Sequence, residues 1–138
     1  MHSATTKPST AARHPRTGEE ALASRLRREI QGEVLFDAAS RGRYSTDASI
    51  YQIEPVGVVV PRTEEDARIA IQIAAAEGVP ILPRGAGTSQ CGQTVGAALV
   101  IDNSKYLNQV VAFDKEARTA VVQPGMVLDQ LNADLRPQ

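Results

Sequence analysis

The sequence predicts an α+β fold of α/β character: a small mixed sheet containing a β-α-β unit and a hairpin, with helices packed on it. Three observations carry this prediction. Short apolar runs closed by Pro or Asp, VGVVVP at residues 56–61, VPILP at 79–83 and AALVID at 97–102, have the length of buried strands. Between the first two lies a helical period, Ala67, Ala70, Ile71 and Ala74. Two further β-rich runs, residues 110–113 and 119–122, flank the polar turn DKEAR, the pattern of an antiparallel hairpin.

With 138 residues the chain has room for one ordinary domain, large enough for a core without disulfides or a structural metal. Its charges balance, 15 Lys and Arg against 16 Asp and Glu, so nothing electrostatic points to nucleic acid or an acidic membrane. Aromatics, 4% with no Trp, are too few for a base-stacking platform. The single cysteine, Cys91, excludes an internal disulfide and cannot ligate an iron–sulfur cluster alone, so any such cluster belongs to another chain. His2 and His14 lie amid Ser, Thr, Pro and Ala, and no metal site is expected. No apolar run approaches the roughly 18 residues of a spanning helix, and no signal peptide follows the basic leader. The chain therefore reads as soluble and cytoplasmic, with peripheral attachment to a membrane left open.

Residues 1–18 carry Lys7, Arg13 and Arg16 without an acid and read as a disordered leader, although an organelle transit peptide can share this composition. Residues 19–43 read as a lead-in helix and connection. Leu22, Leu26 and Ile30 share one helical face, Gly32 stops the helix, and residues 33–36 form a short strand. The polar, turn-rich residues 38–55 read as loop. Thr63, three positions before Asp66, caps the central helix, and Glu64, Glu65 and Asp66 complement its dipole. Gly78 and Pro80 end that helix, so residues 56–83 make one right-handed β-α-β unit with parallel strands. Gly125 precedes a last helix with Leu128, Leu131 and Leu135 on one face.

The chemically informative segment is PRGAGTSQCGQTVG at residues 83–96. Gly85, Gly87, Gly92 and Gly96 allow backbone N–H groups to turn inward as an anion-binding nest, and Thr88, Ser89, Gln90, Gln93 and Thr94 add uncharged donors. That combination suits a diphosphate. It is neither a G-x-G-x-x-G fingerprint, because Gln90 stands where the third glycine would be, nor a Walker A loop, because Gly-Lys-Ser/Thr is missing. The phosphates would sit on a loop between two strands, without a helix N-terminus aimed at them. Arg84 either adds charge to the nest or is a solvated side chain at the loop edge. Cys91 reads as a small buried hydrophobe, and Asp47 as an Asx-turn or cap in a polar loop.

These residues carry a family resemblance. The run from VVVPRTEEDARIA through PRGAGTSQCGQTVG to VVQPGMVLDQLNADL resembles the first part of the FAD-binding domain of the vanillyl-alcohol oxidase / p-cresol methylhydroxylase superfamily. Within it, the chain most resembles FAD-linked dehydrogenases of D-2-hydroxy acids, such as the flavoprotein of glycolate oxidase, D-lactate dehydrogenase and D-2-hydroxyglutarate dehydrogenase. The resemblance makes residues 44–138 the N-terminal, incomplete part of such a domain. It implies that backbone amides of Arg84, Gly85, Ala86, Gly87, Thr88 and Ser89 hold the FAD pyrophosphate, that Gly92 and Gln93 pass beneath the cofactor, and that Pro124 and Gly125 form a second wall. Several superfamily members attach flavin through a histidine at the place of Thr88, so FAD is expected to be noncovalent here. The stretch Tyr44, Ser45, Thr46, Asp47, Ala48 and Ser49 matches one that lies near the flavin in these dehydrogenases.

The resemblance implies oxidation of a lactate-, glycolate- or 2-hydroxyglutarate-type acid by hydride transfer to FAD. It places the catalytic groups in a downstream substrate domain, so no catalytic residue is expected among these 138. The expected partners are further FAD and substrate segments or a complementary chain, with an iron–sulfur electron acceptor on another domain or subunit. A noncatalytic nucleotide-binding or interaction fragment is the competing reading, and flavin-dependent enolpyruvyl reduction is a related reaction that shares the loop.

Overall fold

The computed structural model describes residues 19–136; the expected leader, residues 1–18, lies outside them. Helix α1 (Glu20–Glu29) buries Leu22, Ala23 and Leu26, and Ile30 closes its face. After the helix Gly32 comes close against the end of the neighbouring strand, where a Cβ on it would stand 2.5 Å from the Val60 carbonyl oxygen. Strand β1 (Glu33–Leu35) follows.

Residues 38–55 are not all loop. Asp37 accepts a 2.8 Å hydrogen bond from the Ser40 amide and caps a short helix, α2 (Ala38–Arg43), too short to display a hydrophobic period. Strand β2 (Gly57–Val60), helix α3 (Glu64–Ala76) and strand β3 (Ile81–Arg84) then form the expected β-α-β succession. Strand β4 (Leu99–Asp102) inserts between its two strands, giving the order β1-β2-β4-β3. The pairs β2·β4 and β3·β4 are parallel and β1·β2 is antiparallel. Pro83 lies within β3, at the sheet edge.

Every residue of β2 and β4 is buried because both faces of the sheet are covered. Val59, Leu99 and Ile101 pack with Leu22, Leu26, Ala70 and Ile73 of α1 and α3. Val58, Val60 and Val100 face the other way, under Tyr44, Leu82 and Tyr106. On α3 the buried stripe is Asp66, Ala70, Ile73 and Ala74, and Ile71 is exposed. Both isoleucines flank the alanine row, and the helix turns the Ile73 flank inward.

Thr63 Oγ1 caps α3 as expected, accepting from the Asp66 amide at 3.1 Å. Asp66 goes beyond complementing the dipole. Its buried carboxylate accepts from the Gln31 amide at 2.9 Å and the Arg62 amide at 3.0 Å, tying the segment after α1 to the start of α3.

Strands β5 (Val110–Asp114) and β6 (Thr119–Val122) form a separate two-stranded sheet, followed by helix α4 (Leu128–Leu135). In the turn between these strands Asp114 caps the Ala117 amide and Arg118 takes the left-handed φ of 53°. None of α4 is buried, and Leu128 is 67% exposed. Among the described residues no helix is long and apolar enough to cross a membrane.

Replacing Asp66 by alanine removes a buried carboxylate and strips the Gln31 and Arg62 amides of their acceptor, so Asp66→Ala is expected to lower unfolding stability by about 1–3 kcal/mol. The shift in denaturant midpoint measures it, and an unchanged midpoint would show that the tie contributes nothing.

Candidate FAD site

The site grows from the C-terminal ends of β3 and β4, where ligands of parallel sheets bind. Arg84 stands opposite Asp102 in the register, and the Asn103 amide donates to the Arg84 carbonyl at 2.9 Å, carrying the pairing one step further. Beyond Arg84 the glycine loop leaves the sheet. Gly87 and Gly92 take left-handed φ values of 69° and 77°, which their neighbours in the loop do not need. Among the described residues, the backbone N–H groups of Gly85, Ala86, Gly87, Thr88 and Ser89 donate to no protein acceptor.

A cleft of about 330 Å³ opens between Gly85, Ala86 and Thr88 on one side and the Pro124–Gly125 turn on the other. The turn is brought there by backbone contacts. Gly125 donates its amide to the Leu107 carbonyl at 2.8 Å, and a Cβ on it would stand 2.1 Å from the Asn103 carbonyl oxygen. The second wall therefore rests on the same end of β4 that anchors the first. The opening turn of α4, Val127 to Asp129, also lines this cleft. A helix N-terminus thus borders the loop, supplied by the chain after the hairpin, where sequence alone suggested none.

Gly85, Ala86, Thr88, Pro124 and Gly125 are brought together in that cleft. The other candidates are engaged differently. Ser89 donates its hydroxyl to the Gln93 carboxamide oxygen and accepts from the Gln93 amide at 3.2 Å, closing a small turn. Gly92 lies against Tyr51, whose ring a Cβ there would approach to 2.6 Å. Cys91 is exposed, contrary to the expectation of burial, because the loop makes its contact with the neighbouring segment through Gly92.

Arg84 is neither a free charge nor a solvated side chain. Its guanidinium lies 5.2 Å from the centroid of the Tyr44 ring and donates to the Thr94 carbonyl at 3.1 Å. The Tyr44 hydroxyl donates to Asp102 Oδ2 at 2.6 Å, and Asp102 Oδ1 accepts from the Ser104 hydroxyl at 2.6 Å. Burial first, then the bond to Asp102, pushes the Tyr44 phenol above its ordinary range, so it stays a neutral donor. Sequence reasoning missed Asp102 and Ser104, whose only signal was the position of AALVID as a strand ending beside the loop, and it placed Tyr44 near the flavin without its bond to Asp102.

Asp47 forms the expected Asx-turn, accepting from the Ser49 amide at 2.8 Å, and also accepts from the Thr94 hydroxyl at 3.0 Å. These bonds, Ser49 foremost and then Thr94, hold its carboxyl down at about 2. Among the described residues no group of three or more His, Cys, Asp or Glu could hold a metal ion.

An open run of amides, glycines that let backbone approach, and neutral hydroxyls at a cleft is a donor set that fits a dinucleotide diphosphate. Residues 55–138 match the family model described as FAD binding domain. The chain belongs to that family. The chain is 36% identical over 109 residues to D-2-hydroxyglutarate dehydrogenase of Pantoea ananatis, covering 77% of the chain and 11% of that relative. It is 38% identical over 113 residues to glycolate oxidase subunit GlcD of Bacillus subtilis, covering 76% of the chain and 23% of that relative. The chain thus spans less than a quarter of either relative. Among solved structures, p-cresol methylhydroxylase with substrate bound superposes with a TM-score of 0.68 at 17% identity, over 87% of this chain and 25% of that one, which establishes the shared fold. FAD is the cofactor of this domain family, and the relatives are dehydrogenases and an oxidase component of 2-hydroxy acids by name.

Two expectations follow for the FAD binding domain. Gly125→Ala forces two backbone segments apart and should cost about 1–3 kcal/mol of stability while weakening FAD binding, read by thermal melts and flavin titration. The Asp47 carboxyl is depressed in the folded state, so its contribution is complete above its ordinary value of 3.8 and is lost as pH falls through about 2. The Thr94 amide resonance should report that titration near the lower value, and a midpoint near the ordinary value would contradict the bond.

Proposed function

We propose that this FAD binding domain holds FAD noncovalently by its diphosphate on the amides of residues 85–89, and serves an oxidoreductase that oxidises a D-2-hydroxy acid. The observation that carries the reading is the run of unpartnered amides from Gly85 to Ser89, at a cleft closed by Pro124 and Gly125. When bound, FAD supplies an isoalloxazine ring that accepts hydride. The chain itself binds and orients. The loop amides stabilise the charge of the diphosphate by hydrogen bonds, and the β3–β4 ends fix where that diphosphate lies. The Thr88 hydroxyl completes the donor set, the Ser89 hydroxyl being engaged with Gln93, with Arg84 contributing backbone and Gly92 and Gln93 passing toward the ring.

Thr88 stands where a tethering histidine occurs elsewhere in the superfamily, and the described residues contain none. A threonine hydroxyl makes no such bond, which supports a noncovalent flavin. The hydroxy-acid substrate follows from the relatives' names. We assign the base and the carboxylate-binding groups to a substrate domain outside these residues, and the electron acceptor, including any iron–sulfur centre, to another domain or subunit. The exposed Val111, Val121, Val127 and Leu128 of the hairpin and α4 support a covering segment of that kind.

Titration of the 138-residue chain with FAD or ADP should give saturable binding, and denaturation with acid should release all flavin to the supernatant. In Gly87→Val a β-branched residue must adopt the left-handed φ of 69° with its Cβ 2.5 Å from Arg84 Nη2. Binding should weaken at least about tenfold. A wild-type chain showing neither heat nor flavin fluorescence change would refute the assignment of the loop.

A further inference from the structure

We infer that the Arg84 side chain is a clamp that holds the glycine loop in its binding shape, and is not itself a ligand of the diphosphate. The inference deepens the proposed function and rests on the loop being the diphosphate site.

A glycine-rich loop samples many conformations, and a nest works only when its amides converge together. Ordering the loop at the moment of binding would subtract from affinity, so a contact that orders it beforehand strengthens binding without touching the ligand. Arg84 is placed to do this. It is the last residue of β3, and its Nη1 reaches across to the carbonyl of Thr94, near the other end of the loop, at 3.1 Å. Gly87 in its left-handed conformation lies against the same guanidinium, close enough that a Cβ would meet Nη2 at 2.5 Å. The loop is therefore folded around the cation.

The cation in turn is held from below. Tyr44 presents its ring to the guanidinium at 5.2 Å, a favourable cation–π separation. That ring cannot swing away, because its hydroxyl is bonded at 2.6 Å to Asp102, the β4 residue paired with Arg84. Asp102 is 7% exposed and its second oxygen accepts from the Ser104 amide and hydroxyl. Strand register, phenol, guanidinium and loop carbonyl make a closed circuit. Thr94 is gripped a second time through its hydroxyl by Asp47 at 3.0 Å. A lysine could keep the charge of Arg84 but not the planar guanidinium that lies over Tyr44 while bonding Thr94.

The test compares wild type with Arg84→Met and Arg84→Lys in the 138-residue chain, using backbone order parameters of residues 85–93 without ligand and FAD titrations at several salt concentrations. The clamp predicts that order parameters in the loop fall from about 0.85 towards 0.6 in both variants while residues 57–60 and 99–102 stay rigid. It predicts FAD binding weakened about tenfold in both, with the salt dependence of wild type retained. A direct phosphate contact predicts the opposite: Arg84→Lys binding like wild type, Arg84→Met losing salt dependence, and an unchanged loop in both, and that result overturns the clamp. Should Arg84→Met fail to fold, Arg84→Lys alone separates the two outcomes. A wild-type chain that binds no FAD refutes the proposed function, and the ligand-free order parameters still decide the clamp.

Discussion

The pairing of β3 with β4 fixes where the two walls of the cleft can be. Its register sets Arg84 opposite Asp102 and continues through the bond from Asn103 to the Arg84 carbonyl. From that point one strand releases the glycine loop and the other releases the segment on which Gly125 rests. The two walls of the cleft thus hang from neighbouring strand ends, so their separation is governed by covalent geometry and a few backbone bonds.

The rest of the sheet serves to make that edge immovable. Burial of β2 and β4 on both faces leaves the strands no alternative register, since a slip would exchange one packed set of valines and leucines for another of different shape. Asp66 adds a polar lock on the helical side by binding amides from two separate segments. On the opposite face Tyr44 and Tyr106 place aromatic rings over Val58, Val60 and Val100, and each ring ends in a hydroxyl bonded to a carboxylate. Rigidity of this kind suits a site whose donors are backbone amides, which can be aimed only by aiming the chain.

What the sequence made legible was what is local. VGVVVP, the capped period of α3, AALVID and the hairpin turn each announce themselves within a few residues, and each forms close to its expected bounds. Features that depend on distant partners were not legible. The insertion of β4 between β2 and β3 is a choice of neighbour, which no single segment encodes. The inward turn of Arg84 requires Tyr44, forty positions earlier in the chain. The helix α2 spans too few residues for a period, and Ile71 and Ile73 offered equivalent flanks of one alanine row. At the glycine loop, composition pointed to phosphate chemistry, but which amides remain free could be seen only once every other donor had found its acceptor.

Pro83 carries a consequence of a different kind. It sits in the outermost strand of the sheet, paired with Ile101, one residue before the loop begins. A proline is tolerated there because an edge strand has a side with no ladder to complete, and its missing N–H interrupts the row of donors that a foreign strand would need. The residue that leads into the loop therefore guards the sheet against growth by strand addition. A sheet whose outermost strand is left uncovered is exposed to self-association along that edge, and here the protection stands at the first letter of the glycine-loop segment.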